Sequence, residues 1–308
     1  MMRIALIGRT EVLLKTGRLL IQKGYKIPLI ITAKEAVEYK AGIDAFKKFA
    51  EEINADFLST ANINKTKALF EKHKDLDVGV SMNYSGIIPQ WAIDFFKIGI
   101  LNAHGGDLPR YRGNACQAWA ILNGEDRIGL CIHKMIGDEL DSGDIIARDY
   151  MPIDINTKVT FVWDWMEEKI PQLFIEAIEN LNKNKNYYIE KQSKNPEDIL
   201  RCYPITPEDG KIDWTKSNTE ILRQVNAFAK PYNGAFCFYN GRKVKIWDAE
   251  IYKDDEKYCS FPGQIGSINK NDIIVICGSG KLKIKQVEFS ETNETLPNIF
   301  KSIRMRLK

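Results

Sequence analysis

The chain has 308 residues, enough for one large domain or two medium ones with buried cores. Hydrophobic residues make up 44% and charged residues 28%, the balance of a globular protein in water. The formal net charge is +3, and basic and acidic residues are interspersed. This pattern excludes a polybasic membrane patch and disfavours a nucleic-acid partner, which calls for clustered Lys and Arg.

The six cysteines are scattered without a C-x-x-C pair, which indicates reduced thiols in a reducing compartment. No apolar run reaches the length of about 18 residues that spans a membrane, and the apolar N-terminus is too short for a signal sequence. Neither His104 nor His133 has another His or Cys at ligand spacing, so we expect no metal site. The sequence predicts a soluble, cytoplasmic protein.

Strands and helices alternate through the first half of the chain. Short apolar runs predict strands at 3–8, 26–32, 56–58, 77–81, 98–103 and 128–134. Apolar residues at helical spacing predict helices around Leu13–Leu20 and at 42–53, 64–73, 90–96 and 161–181. Pro171 is expected to kink or divide the last helix. The alternation predicts an α/β fold, with a Rossmann-like, mostly parallel sheet and helices on both faces.

The pattern changes beyond residue 182. Residues 183–204 are rich in Asn, Lys and Ser and are predicted to be a linker between a domain at 1–182 and a domain at 205–308. Ser217 and Glu220 have the spacing of a capping box that begins a helix. Hairpin turns are predicted at 240–241 and 278–280. One helix and several antiparallel strands predict a small β-barrel.

Polar residues follow two of the predicted strands. Asn102 and His104 are two residues apart at a strand end, so their side chains project to the same side. Alone, this pair is equally well explained as a turn residue and a hydrogen-bonded histidine. The acidic loop 137–144 could be a solvated turn. Together they provide an amide donor, an imidazole and a carboxylate, a combination suited to acyl transfer to an amine.

The pattern N-x-H-x-x-x-L-P-x-Y-R-G at 102–113, followed by L-D-x-G-D-I-I at 140–146, resembles the folate-dependent formyltransferases. The resemblance extends to the loop 84–89 and, in the second domain, to 205–214 and 244–247. It is nearest to the enzymes that N-formylate nucleotide-linked amino sugars and carry a C-terminal domain like that of methionyl-tRNA formyltransferase. In those relatives this domain is an OB-like barrel.

The resemblance implies 10-formyltetrahydrofolate as the formyl donor. Asn102 would bind the formyl oxygen, His104 would share its developing charge, and Asp141 would orient His104 and help to deprotonate the amine. Asp144 is the rival carboxylate. The folate contacts would come from Tyr84, Gly86, Ile87, Ile88, Gly137, Asp138, Glu139 and Leu140. The acceptor contacts would come from Tyr111, Arg112, Asn114 and Trp119.

Two acceptors are compatible with both domains: a nucleotide-linked amino sugar, dTDP- or UDP-linked, for bacterial surface glycans, and the aminoacyl end of initiator tRNA. The tRNA enzymes usually have H-x-S-L-L-P-x-W-R-G-A-A-P, where this chain has Gly106-Asp107 and Tyr111–Trp119. This departure and the mixed surface charge favour the sugar, although Asn114 stands where the aminoarabinose enzyme has Arg. A protein that only binds folate or nucleotide is a third interpretation, which the intact trio disfavours. The sequence is compatible with a homodimer of this chain.

Overall fold

The structure is a computed structural model that describes residues 2–36, 39–289 and 299–308. The chain forms two compact units, each assembled from three separate stretches. Unit 1 comprises Met1–Gly113, Gly129–Met151 and Asp164–Cys202, and unit 2 comprises Asn114–Ile128, Pro152–Trp163 and Tyr203–Lys308. The domain limits at 182 and 205 stay a prediction. Most of the stretch predicted to be a linker belongs to unit 1.

The elements alternate as expected in the first half of the chain. In order they are β1 (Arg3–Gly8), α1 (Glu11–Gln22), β2 (Lys26–Thr32), α2 (Ile43–Glu52), β3 (Asp56–Ser59), α3 (Lys67–Lys72), β4 (Val78–Met82), α4 (Gln90–Asp94), β5 (Ile100–His104) and β6 (Arg112–Gly113). The next are α5 (Cys116–Asn123), β7 (Arg127–Lys134), β8 (Ile145–Pro152), α6 (Val159–Lys183) and β9 (Arg201–Cys202). The last are α7 (Asn218–Ala227), β10 (Ala235–Tyr239), β11 (Arg242–Tyr252), β12 (Ile265–Ile268), β13 (Ile273–Ile276) and β14 (Lys281–Phe289).

Unit 1 is built on a seven-stranded sheet in the order β3-β2-β1-β4-β5-β7-β8. The first five strands of that order pair in parallel, whereas β5 and β7 pair antiparallel. The predicted mostly parallel sheet with helices is confirmed. Ser81 lies opposite Asn102 and Asn102 lies opposite His133, so the register aligns polar residues of three strands at one sheet edge. Carboxyl ends of parallel strands are where such sheets bind ligands.

The core below this edge is aromatic on one side. Phe70 is fully buried and stacks on Phe95, with 5.0 Å between ring centroids. Trp91 and Tyr84 pack against the same cluster, and the Tyr84 hydroxyl donates to the Thr60 carbonyl at 2.7 Å. The loop after β4 is therefore anchored at both ends by partly buried rings.

Helix α6 continues through Pro171 as one element of 25 residues, so the proline does not divide it, and the alternative, a kink, stays a prediction. Proline leaves the carbonyl four residues earlier without its helical donor. Here that carbonyl belongs to Glu167, and the Lys15 ammonium donates to it at 3.3 Å. The substitute donor explains how the helix continues. Among the described residues, no helix is long and apolar enough to cross a membrane.

Unit 2 contains a five-stranded antiparallel sheet in the order β10-β11-β14-β13-β12. Both predicted hairpins are present. Helix α7 begins with the predicted capping box, in which the Glu220 N–H donates to Ser217 Oγ and the Ser217 N–H donates to Glu220 Oε2. The smaller antiparallel domain is thus confirmed, with the number of strands of an OB fold.

The close approach of β1 and β4 can be tested at Gly8, the last residue of β1. Its φ is 150°, and a Cβ here would collide with the carbonyl oxygen of Met82 on β4. Gly99 also has a positive φ, 101°, but the nearest atom to its Cβ would be 3.6 Å away. We expect Gly8→Ala to lower the free energy of unfolding by about 3–5 kcal/mol and Gly99→Ala by about 1–2 kcal/mol, measured by urea titration. Equal losses would show that β1 and β4 are not this close.

Candidate active site

The Asp141 carboxylate is the centre of the polar cluster at the carboxyl end of β5. It follows β7 on the predicted acidic loop, and its side chain is only 12% exposed. Oδ2 lies 3.4 Å from His104 Nδ1, and Oδ1 lies 3.4 Å from His133 Nε2. The backbone N–H of Gly113 donates to Oδ2 at 3.0 Å. Asp144 makes no ion pair with either histidine in the described chain, so Asp141 is the carboxylate that geometry selects.

His104 is held from both sides of its ring. Its Nε2–H donates to the carbonyl of Tyr111 at 2.6 Å, while Nδ1 faces Asp141. Both partners are hydrogen-bond acceptors, so the imidazolium form satisfies both of its N–H groups here. Gly106 permits this contact, because a Cβ at that position would press on both the Tyr111 carbonyl and His104 Nε2.

His133 is a second imidazole in the cluster and is almost fully buried. It lies opposite Asn102 in the β5–β7 pairing, and its Nδ1–H donates to the carbonyl of Lys134 at 2.9 Å. Asn102 Nδ2 lies 3.3 Å from His133 Nε2. An amide nitrogen carries two hydrogens. Since the contact with His133 uses at most one of them, Asn102 retains a hydrogen for a ligand.

The two histidines also set the charge state of the carboxylate. Burial alone would raise the pKa of Asp141, but His104, His133 and the Gly113 N–H together lower it more. The pKa of Asp141 therefore lies well below its usual range. Consequently, this carboxyl group is an anion throughout the neutral pH range and serves as the fixed negative charge of the cluster.

The loop 84–90 and the loop 136–141 meet, as the predicted folate site requires. Gln90 Oε1 accepts from the N–H of Gly137 at 2.7 Å and joins the two loops. Ile88 is buried, whereas Ile87 is 79% exposed. Gly86 lies against the carbonyl of Ala61.

On the other loop two apolar side chains are exposed, Leu140 at 39% and Ile136 at 37%. Asp138 and Glu139 are also exposed, and Ser142 Oγ donates to Glu139 Oε2 at 2.6 Å. Together with the joined loop 84–90, this surface combines exposed apolar side chains with exposed acidic side chains.

The four residues predicted to contact the acceptor are placed differently from one another. Tyr111 is buried and contributes its carbonyl to His104. Arg112 is half-buried and donates from Nη2 to Gln192 Oε1 at 2.9 Å. Asn114 and Trp119 belong to unit 2, where Asn114 is exposed and the Trp119 indole N–H donates to the carbonyl of Tyr203 at 2.9 Å. Tyr111 and Arg112 thus lie beside the trio, while the contact roles of all four stay a prediction.

Sequence reasoning missed His133 and Gln192. His133 was weighed only as a zinc ligand, although a lone histidine in the apolar strand 128–134, eight residues before Asp141, is a usable signal. Gln192 lies in the predicted linker, and nothing in its local pattern marks it. Within the described ranges, no three His, Cys, Asp or Glu side chains have the arrangement of a metal site.

Comparison with known proteins shows the family to which this chain belongs. A family model described as formyl transferase matches residues 2–178, and one described as formyl transferase, C-terminal domain, matches residues 204–302. The chain belongs to the formyl transferase family. The methionyl-tRNA formyltransferase of Acetivibrio thermocellus is 29% identical over 298 residues, which are 94% of this chain and 93% of that protein.

Solved structures share the fold of this formyl transferase. WlaRD, a sugar 3N-formyl transferase crystallised in the presence of dTDP and 5-N-formyl-THF, is 20% identical with a TM-score of 0.69. That match covers 95% of this chain and 99% of WlaRD. HypX from Aquifex aeolicus is 17% identical with a TM-score of 0.62; the match covers 98% of this chain but only 49% of HypX. The chain therefore spans about half the length of HypX.

The lowered pKa of Asp141 predicts a pH-dependent contribution to stability. A carboxylate whose folded pKa is depressed stabilises the protein fully above its unfolded pKa of about 3.9, and this contribution is lost as the pH falls from there towards the folded pKa. We expect Asp141→Asn to lower the free energy of unfolding by about 1–3 kcal/mol at pH 6–7, with a smaller difference from wild type below about pH 4. Urea titrations from pH 3 to pH 7 measure it. Asp144→Asn is the matched control, and a pH-independent difference for Asp141→Asn would contradict the assignment.

Proposed function

We propose that this protein transfers the formyl group of 10-formyltetrahydrofolate to a primary amine. The observation that carries the proposal is the convergence of Asn102, His104 and His133 with one buried carboxylate at the carboxyl end of β5. Acyl transfer to an amine needs a donor for the developing oxyanion and a titratable group beside it. The cluster supplies both.

The surface beside the cluster fits a folate donor. The loops joined by Gln90 and Gly137 expose Ile87 and Leu140, which suit apolar contact with a flat ring. We expect backbone groups of the same loops to contact the polar edge of the pterin. When bound, the donor supplies an activated formyl carbon. WlaRD, which shares the fold, was crystallised with 5-N-formyl-THF, and this supports the same class of donor here.

The proposed roles follow from the hydrogen bonds. The second N–H of Asn102 binds the formyl oxygen and stabilises its negative charge as the amine attacks. The ring of His104, held against Asp141, would share the charge that develops on that oxygen. His133 holds the amide of Asn102 in position from the neighbouring strand.

Asp141 keeps the two imidazoles oriented and balances their charge. Its depressed pKa makes it a weak proton acceptor, because protonating it at neutral pH is unfavourable. The orienting role is therefore favoured over that of a general base that keeps the amine's proton. That proton would pass through water, which the 12% exposure of the carboxylate admits, to N10 of the folate. The bond between N10 and the formyl carbon then breaks, and the products are the formylated amine and tetrahydrofolate.

For the acceptor, we propose the amino group of methionine on initiator tRNA. The curated relatives of this chain that carry that activity in their name match it along nearly its whole length, including both parts of the family pattern. This end-to-end similarity supports the tRNA more strongly than the residue pattern near the trio supports the sugar that the sequence analysis favoured.

A nucleotide-linked amino sugar is the second candidate, because one specific feature favours it. The loop after β5 has Gly106-Asp107 where the tRNA enzymes usually have Ser and Leu. The Asp107 carboxylate is held by two neighbouring side chains of unit 1. The Tyr150 hydroxyl donates to Asp107 Oδ1 at 3.1 Å, and Arg148 lies 4.0 Å from the same oxygen. Asp107 is thus held in place by contacts within unit 1. A residue held in this way, where the tRNA enzymes usually have Leu, is what an acceptor other than tRNA would explain.

The trio can be tested by substitution. We expect Asn102→Ala, His104→Ala and Asp141→Ala each to fold and to lower kcat by roughly 10²-fold or more, the scale for losing an oxyanion donor or an acid–base group. Asp144→Ala is the matched control and should retain near-normal turnover. Collapse of the control with survival of the Asp141 variant would move the carboxylate role to Asp144.

The acceptor can be identified by a panel assay at several salt concentrations. The enzyme is supplied with 10-formyltetrahydrofolate and either charged initiator tRNA or dTDP- and UDP-linked amino sugars, and formylated products are detected by mass. Many phosphate contacts weaken steeply with salt, so KM for tRNA should rise by roughly 10³-fold between about 50 and 200 mM. For a sugar nucleotide the change should stay below about tenfold.

Formylation of an amino sugar with that mild salt dependence, and no turnover of charged tRNA, would replace the first acceptor with the second. The formyl donor and the trio would be unaffected by this result. Absence of formyl transfer to either class would reject the proposed reaction.

A further inference from the structure

The Asp141 loop adopts a backbone that it does not favour on its own. Asp141 has φ of 47°, in the left-handed region, and Asp138 earlier in the loop has φ of 62°. Side chains other than glycine rarely adopt this conformation unless the surroundings hold it. In this conformation the carboxylate reaches both histidines, so the contacts that hold the loop matter for the site.

Gln192 makes those contacts from outside the motif. Its side chain is 8% exposed, and its amide nitrogen donates to the carbonyls of Asp141 and Gly143 at 2.8 and 2.7 Å. Its amide oxygen accepts from Arg112 Nη2 at 2.9 Å. Both amide hydrogens and the oxygen are therefore used. The reversed amide would place its oxygen against two carbonyl oxygens, so the orientation is determined.

These bonds join the two segments that surround the carboxylate. Arg112 stands between Tyr111, whose carbonyl accepts from His104, and Gly113, whose N–H donates to Asp141. Gln192 thus links this segment to the loop that presents Asp141. The Gln192 side chain therefore supports the separation of the two segments, together with the hydrogen bond from the Gly113 N–H to Asp141.

The segment that carries Gln192 is itself fixed to unit 1 on both sides. Before it, the N–H of Ile145 donates to the carbonyl of Glu190 at 2.9 Å. After it, β9 pairs in parallel with β6, and the N–H of Arg112 donates to the carbonyl of Leu200 at 2.9 Å. Gln192 is therefore presented by an anchored backbone rather than by a free connector.

We propose that Gln192 is a positioning residue for formyl transfer: it holds the Asp141 carboxylate between His104 and His133. This inference rests on the proposed function only for its effect on turnover. Its effect on the histidines can be measured without any reaction.

The chain has only three histidines, which makes their rings a convenient probe. The third, His73, pairs with Asp56 at 2.7 Å in a different part of unit 1 and serves as an internal control. In full-length protein labelled with ¹⁵N-histidine, we expect Gln192→Leu to move the ring signals of His104 and His133 and to leave those of His73 in place. Gln192→Glu, which retains the acceptor for Arg112 but loses both donors, should do the same. If Gln192→Leu does not fold, the Gln192→Glu variant alone still tests the proposal.

Turnover gives the second readout. We expect both Gln192 variants to lower kcat by about 10–100-fold, the scale for a displaced or unsupported catalytic group, with KM for 10-formyltetrahydrofolate changed less than about threefold. In an Asp141→Asn background the further loss should shrink to less than about threefold, because Gln192 acts through that carboxylate. Asn195→Ala removes a local turn contact of the same segment and should leave both readouts unchanged.

The outcomes separate the two proposals. Unmoved signals of His104 and His133 in a folded Gln192 variant overturn the positioning role, whatever the turnover. An equal loss of kcat in the Asp141→Asn background overturns it too. Moved signals in a protein that transfers no formyl group would support the positioning of the cluster and reject the proposed reaction instead.

Discussion

A buried anion between two imidazoles is the constraint on which this molecule depends. A carboxylate removed from water is costly unless charges and hydrogen bonds compensate for the lost hydration. For Asp141 the compensation comes from His104, His133 and the Gly113 N–H, which are contributed by β5, β7 and the turn at β6. These elements therefore meet at one point, and the contacts made there hold Asp141 in a left-handed backbone conformation.

The residues that local pattern could identify are those at the ends of strands. Asn102 and His104 stand out because two polar side chains with a spacing of two end an apolar strand. The choice of Asp141 over Asp144 depended on family resemblance, and the distances to the histidines now support it physically. His133 was overlooked because its importance comes from strand register: only the β5–β7 pairing shows that it faces Asn102. Gln192 could not be found, since its partners are 49–80 residues away along the chain.

The fold was predictable where apolar residues recur with the regular spacing of a strand or helix. It was not predictable where the burial of side chains does not follow such a spacing. The strands and most helices of unit 1 follow from apolar runs, and both hairpins of unit 2 follow from their turn residues. Helix α5 does not, because five of its eight residues are buried and leave no amphipathic stripe to detect. Strand β8 is obscured by Arg148, Asp149 and Tyr150, which are partly buried through polar contacts rather than apolar packing. Helix α6 continues through Pro171 with a hydrogen bond from Lys15, which lies 156 positions before that proline in the chain.

The interleaved composition of the two units has a consequence for how the protein is made. A ribosome releases residues 114–128 and 152–163 long before residues 203–308, with which they cluster in unit 2. The nascent chain must therefore carry these stretches without their partners while unit 1 is still emerging. Unit 1 is also incomplete at that stage, because the loop of Asp141 lacks the two hydrogen bonds from Gln192 until that residue leaves the exit tunnel. Synthesis thus completes the polar cluster late, after every strand of the large sheet is available.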